Sequence, residues 1–176
     1  MKSGLVAVAL ALCLGLAGCF TSEKPLFDDA RGVALLGRGS LDVTTYKEGE
    51  TPESGRMEWR GGLYEAIDDG EEDGKISFHH LPGSGWFSPW YVGQTALGKD
   101  EEGFLYILYR KDGPRLYSYD VGCSDLTPQE AAATHMERSA SGQECHAARA
   151  ADLGKALLLL SKRKQADAYM TAEPAK

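Results

Sequence analysis

Two rhythms of apolar residues divide the chain. At the N-terminus they run together, from about Leu5 to Leu16, behind a single charge at Lys2. From Leu41 to Val121 they come in short runs rich in Val, Ile, Tyr, Phe and Trp, separated by Gly, Asp and Pro. That second pattern is the grammar of strands and turns. The stretch "SLDVTTY" (40–46) alternates polar and apolar positions. "RMEWR" (56–60) and "LYEAI" (63–67) flank Gly61-Gly62, a two-residue hairpin signal. "KISFHHL" (75–81) and "SPWYVGQTAL" (88–97) predict further strands. In "GFLYILYRKDGPRLYSYDV" (103–121), Phe104 to Tyr109 is nearly continuously apolar, as a central strand would be, and Leu116, Tyr117 and Tyr119 run back after the turn. No stripe at 3.6-residue spacing crosses this span. The expectation is an antiparallel β-meander of about six or seven strands.

After Cys123 the spacing changes. "TPQE" (127–130) is a helix start, with Thr127 as N-cap, Pro128 at N1 and Glu130 completing a capping box. It predicts a short helix to about His135, followed by a loop over 138–144. In "ADLGKALLLLSKRK" (151–164), Leu153, Ala156, Leu157 and Leu160 fall at helical spacing. Asp152 suits the positive end of that helix and Lys162, Arg163 and Lys164 its last turn. The predicted fold class is therefore α+β, a β-meander closed by a short helix and a C-terminal helix.

The N-terminal apolar run is too short to cross a bilayer, which needs roughly 20 residues. It has the length of a secretory signal's apolar core. It ends at Leu16-Ala17-Gly18-Cys19, and the polar "TSEKP" follows Phe20. This ending resembles the lipobox of bacterial lipoproteins. The resemblance implies cleavage before Cys19, a diacylglyceryl group on its thiol and acylation of the new amine, with palmitate-type chains. Two or more acyl chains anchor a protein stably where one does not. The chain resembles small Gram-negative outer-membrane lipoproteins. In that family an Asp after the Cys favours the inner membrane. Phe20 stands here instead, which implies the outer membrane, facing the periplasm.

Setting aside residues 1–18, which carry Lys2 alone, leaves 18 basic against 26 acidic side chains, a net charge of −8. Such a surface repels nucleic acid and anionic headgroups, so no nucleic-acid partner is read. On the lipoprotein reading, Cys13 leaves with the signal and Cys19 carries lipid. Cys123 and Cys145 remain as one pair in an exported chain, and a disulfide is expected. Its loop of about 23 residues is worth roughly 3 kcal/mol in the chain-entropy picture. A redox or metal pair is the weaker alternative, because the spacing is not C-x-x-C.

The acidic stretch "IDDGEEDGKISFHHL" (67–81) resembles a calcium loop of the EF-hand type, with Asp69, Glu71, Asp73 and Gly74 at the right offsets. It departs at the last ligand, where His80 replaces a bidentate Glu, and Pro82-Gly83 blocks an exiting helix. A hairpin with a solvated acidic turn accounts for the same letters. His79 and His80 are adjacent in a predicted strand and must point to opposite faces. No metal site, cofactor or catalytic residue is read. The one concentration of possible ligand-binding aromatics is Trp86, Phe87, Trp90 and Tyr91, in a Gly/Pro-rich connection. They form either a platform or a plug for an open end of the sheet.

The expected organisation is a lipoprotein signal over 1–18, a lipidated tether over 19–31, a single β-rich domain over 32–166 and a frayed tail over 167–176. The function read first is a non-catalytic, membrane-anchored envelope lipoprotein that binds a small ligand or an envelope protein partner, or serves assembly. Its partner in every case includes the membrane, through the lipid. The alternatives are an envelope enzyme with a dispersed active site, in which His79 or His80 would meet carboxylates, and a calcium-dependent binding module using 69–80.

Overall fold

Seven strands follow one another from Ser40, each antiparallel to the last. They are β2 (Ser40–Lys47), β3 (Glu53–Arg60), β4 (Leu63–Asp68), β5 (Glu71–His80), β6 (Trp90–Ala96), β7 (Phe104–Asp112) and β8 (Arg115–Tyr119). A short strand, β1 (Phe20–Ser22), precedes them. The computed structural model describes residues 19–68, 71–97 and 102–176, with the backbone alone for 68 and 71–73. After β8 come helix α1 (Pro128–Ala133), β9 (Glu137–Arg138), β10 (Cys145–His146), helix α2 (Ala150–Leu160) and β11 (Ala168–Pro174).

The architecture overturns the expected α+β meander. Strand β11 lies between β8 and β2 and pairs with both, so the sheet closes on itself. The result is a mostly β protein, an eight-stranded antiparallel barrel of β2–β8 and β11 with extra strands and, among the described residues, only two short α-helices. Closure removes the free edges that an open meander would expose. The residue segment expected to fray, 167–176, supplies the strand that closes it. Its letters alternate: Ala168, Met170 and Ala172 share the face of Leu116 and Val43, while Tyr169 and Thr171 point the other way.

The strands are strongly staggered. Following the hydrogen-bonding direction from His80, the partners are Tyr91, Tyr109, Ser118, Ala168 and Lys47. The end of β5 is thus level, in that direction, with the end of β2. This inclination is how eight strands enclose an interior about one side chain deep, or one small ligand wide.

Two apolar regions result. One lies inside the barrel and contains Leu41, Val43, Tyr64, Phe78, Tyr109 and Leu116. The other lies on the outer wall of β6, β7 and β8, where Val92, Leu108 and Tyr119 meet α2. The helix presents Leu153, Ala156, Leu157 and Leu160, all fully buried. Gly154 of α2 lies so close to the Pro82 carbonyl that a Cβ there would be 2.5 Å from it. α1 has its capping box, with the Glu130 amide donating to the Thr127 hydroxyl and Glu130 accepting from the Thr127 amide. It stops at Ala133, short of His135, whose φ of 56° turns the chain out of the helix. The disulfide Cys123–Cys145 ties the segment after β8 to β10. Among the described residues no helix is long and apolar enough to cross a membrane.

Candidate functional site

Alternate residues of each strand face the barrel interior. The register puts Met57 of β3, Ile76 of β5, Ile107 of β7 and Met170 of β11 on that inner wall. All four are only partly buried. In a barrel filled by its own side chains such positions would be out of water. Partial exposure of four inward apolar groups therefore means that solvent reaches the lumen at their level.

The lower part of the lumen is filled. Tyr64, Phe78 and Tyr109 form a wholly buried aromatic layer, with ring centres 5.7 and 5.0 Å apart and edges turned to faces. Gly93 makes room for it, since a Cβ there would stand 2.6 Å from the Tyr109 ring and 3.0 Å from Ile76. Beneath the layer, residues 33–37 cross the barrel end as a strap. The Val33 amide donates to the Phe78 carbonyl at 2.7 Å. The Tyr64 hydroxyl accepts from the Leu36 amide at 2.9 Å and donates to the Gly37 carbonyl at 2.7 Å. Leu35 and Leu36 bury against this floor.

The opposite end is more polar. Thr45 of β2 pairs across to Glu53 of β3, which shares the inward register. The Oε2 of Glu53 is buried and has no hydrogen-bond partner among the described residues. Lys47, next on the inward register of β2, is held by Glu50 at 2.6 Å.

The two adjacent histidines take opposite faces. His80 points inward at the strap end, where its ring packs on Tyr91 at 4.8 Å and on Trp86 at 5.9 Å. His79 points outward, beneath the N-terminal segment, and stacks on Phe27 at 4.8 Å. Burial holds its pKa below the ordinary imidazole value, against the opposing pull of Asp29 and Asp28. Its Nε2 lies 3.0 Å from the Ser77 hydroxyl, which donates to Asp29 at 2.6 Å. The three residue types are those of a nucleophilic triad, but the order is wrong. Here Ser stands between His and Asp and gives its proton to the carboxylate, whereas activation needs His between the two. Gln94 joins the same group, donating to Asp29 and accepting from the Leu26 and Phe27 amides. The chemistry of this network is that of a fastening for residues 26–29.

The four aromatics of 86–91 are not one platform. Trp86 and Phe87 stand out in solvent, at 87% and 103% exposure. Trp90 faces the outer core and packs on Tyr119 at 5.0 Å, while Tyr91 faces the lumen. Strand β6 begins at Trp90, so these neighbours are forced apart by the pleat.

Of the acidic stretch, Asp69 and Gly70 lie outside the described residues, as do the side chains of Glu71, Glu72 and Asp73. The backbone on either side is strand. β5 starts at Glu71, opposite Asp68 of β4, and runs to His80, which replaces the calcium loop and exiting helix with a β-hairpin. Among the described residues no group of three His, Cys, Asp or Glu side chains is placed to hold a metal ion.

The expected tether is not a tether. Residues 1–18, with the signal reading, lie outside the described residues, and Cys19 opens the structure at partial exposure. Its carbonyl accepts from the Cys145 amide at 3.0 Å. Phe20, the next residue, is completely buried. β1 pairs antiparallel with β7 and parallel with β10, so it occupies the side of β7 that β8 has left. Ser22 bonds the Tyr106 hydroxyl at 2.7 Å, in the neighbourhood of the Gln94 group. The chain is thus built into the barrel wall from its first described residue.

Sequence reading missed the lumen. Its signal was the alternation of "SGRMEW" and "AYMTAEP", where small or apolar inward positions carry no chemistry of their own. No family model, no curated protein and no solved structure matches the chain.

Proposed function

We propose that the chain is a non-catalytic binding module of the bacterial cell envelope, anchored through lipid on Cys19 to the outer membrane and facing the periplasm. The observation that carries this reading is the coincidence at Cys19. The apolar run ends in Leu-Ala-Gly-Cys, and that Cys19 lies partly exposed at the barrel's side, next to the buried Phe20. The Cys123–Cys145 bridge supports the exported location, since such bonds persist in oxidising compartments. The binding half of the reading is supported by the inward Met57, Ile76, Ile107 and Met170, which the barrel leaves partly exposed.

On this reading the barrel has no leash. Phe20 is locked in the wall, so the acyl chains would hold one side of the molecule against the bilayer rather than let it range. The enzyme reading lacks comparable support, because the outward His79–Ser77–Asp29 chain is wrongly ordered for activating a nucleophile.

The test is mass spectrometry of the N-terminus together with detergent phase partitioning. The expected result is a triacylated Cys19 in the detergent phase, with the Cys19→Ser chain in the aqueous phase. An unmodified N-terminal thiol, or wild-type protein wholly in the aqueous phase, overturns the reading.

A further inference from the structure

Around the barrel, Met57, Ile76, Ile107 and Met170 come from β3, β5, β7 and β11, which are alternate strands of the closed ring. The strands between them bring small side chains to the inward face, among them Thr45, Ala66, Thr95 and Ser118. Four large, partly exposed apolar groups thus alternate with small ones around one level of the lumen, while Leu105 of β7, inward by register, is buried. Lower down the bulk comes from neighbouring strands, β4 and β5, with Tyr64 and Phe78, and there the interior is closed.

We propose that this level of the lumen binds one small amphipathic molecule, with its apolar body among Met57, Ile76, Ile107 and Met170 and a cationic or hydrogen-bond-donating head held by Glu53. This deepens the binding-module reading. The four apolar groups are partly exposed, and a ligand's apolar body that covers them is favoured by the area it removes from water. Two of the four groups are methionines, whose flexible thioethers adapt to differently shaped apolar bodies. Glu53 supplies the polar end. It opens β3 at the mouth opposite the aromatic floor, and its buried Oε2 has no partner among the described residues. A buried acceptor left unpaired is costly, and a donor on the ligand relieves that cost. Lys47 is already engaged by Glu50, so the seat selects against an anionic head.

Residues 19–176 contain three methionines, which makes the test internal. Met57 and Met170 line the lumen, while Met136 is buried in the outer core. The Cys19→Ser chain, labelled with ¹³C at the methionine methyls, is titrated with decylamine, decanol and decanoate below their micelle concentrations. The expected result is saturable shifts at Met57 and Met170 with Met136 unmoved, and decylamine at least tenfold tighter than decanoate. Glu53→Gln brings decylamine to within threefold of decanol. Ile107→Trp fills the space and abolishes the shifts while Met136 keeps its resonance, and Ala66→Leu serves if the tryptophan variant does not fold. Absence of saturable shifts at Met57 and Met170 in millimolar decylamine, or parallel movement of Met136, overturns the site. Equal affinity for decylamine and decanoate overturns the role of Glu53. Because anchoring is scored separately by phase partitioning, an empty lumen and a failed anchor are distinguishable.

Discussion

The Cys145 amide donates to the Cys19 carbonyl at 3.0 Å, so the proposed lipid-bearing residue is bonded directly to one half of the disulfide. Phe20 then turns into the core beside Tyr106. The N-terminal strand is consequently part of the cooperative fold. Phe20→Ala is expected to cost about 3–5 kcal/mol in urea unfolding, the range for truncating a buried aromatic. It should also open the segment to a glutamyl endopeptidase after Glu23. A loss under about 1 kcal/mol would mean that β1 detaches without cost, a result the observed burial does not allow.

The disulfide encloses α1 and β9 within a separation of 22 residues. Opening it frees that whole segment in the unfolded chain. Cys123→Ser with Cys145→Ser is expected to lower stability by about 3 kcal/mol. The comparison is the denaturant midpoint of the double variant against oxidised wild type, and a wild-type midpoint in the variant would refute the expectation.

His79 gives the fold a pH dependence of definite sign. Burial depresses its folded-state pKa, so the folded protein prefers the neutral ring and the unfolded chain binds the proton more readily. The stability it contributes is fully present above the unfolded value, about 6.5. It is lost as pH falls from there through the folded pKa. The carboxylates of Asp28 and Asp29 reduce the effect without reversing it. Melting temperature measured from pH 7.5 to 5 should fall in the wild type and fall less steeply in His79→Gln. Parallel slopes would show that other groups set the dependence.

Much of the strand content was legible because its signals are local. Gly61-Gly62 and the turn at Gly113 fix two hairpins, and the Thr127–Glu130 box fixes α1. Closure was not legible, because it depends on one strand pairing far from its chain neighbours. Ala168–Pro174 has weak local strand preference, with alanines and a terminal proline, and becomes a strand because both β2 and β8 offer it partners. The same applies to "FTS" after Cys19, which reads as polar linker until Phe20 is seen to have a pocket. The lumen followed the closure. Without a ring, Met57 and Met170 had no common interior to share.

Gly93 is a position where the interior dictates a residue. Gly93→Ala puts a methyl 2.6 Å from the Tyr109 ring. The ring has to shift within the layer it forms with Phe78, and overpacking of this kind costs about 1–3 kcal/mol. Thermal unfolding checks the loss, and an Ala variant as stable as the wild type would show that the layer has slack.

One hydroxyl holds the middle of the strap. The Tyr64 oxygen accepts from Leu36 and donates to Gly37, while its ring packs on Phe78 in the buried layer. Tyr64→Phe keeps the ring and removes both bonds. The Leu36 amide, already buried, is then left without its acceptor unless the strap swings out to reach water. Leaving such a group unsatisfied costs about 1–3 kcal/mol. Relief by opening is the cheaper course, because residues 33–37 belong to no strand and, among the described residues, only Val33 still bonds the barrel backbone. Amide exchange at Leu36 is therefore expected to accelerate by about tenfold or more, at 1.4 kcal/mol per decade, while exchange at Leu108 in the middle of β7 follows global stability alone. If Leu36 and Leu108 accelerate by the same factor, the strap does not open independently and the hydroxyl contributes only to overall stability.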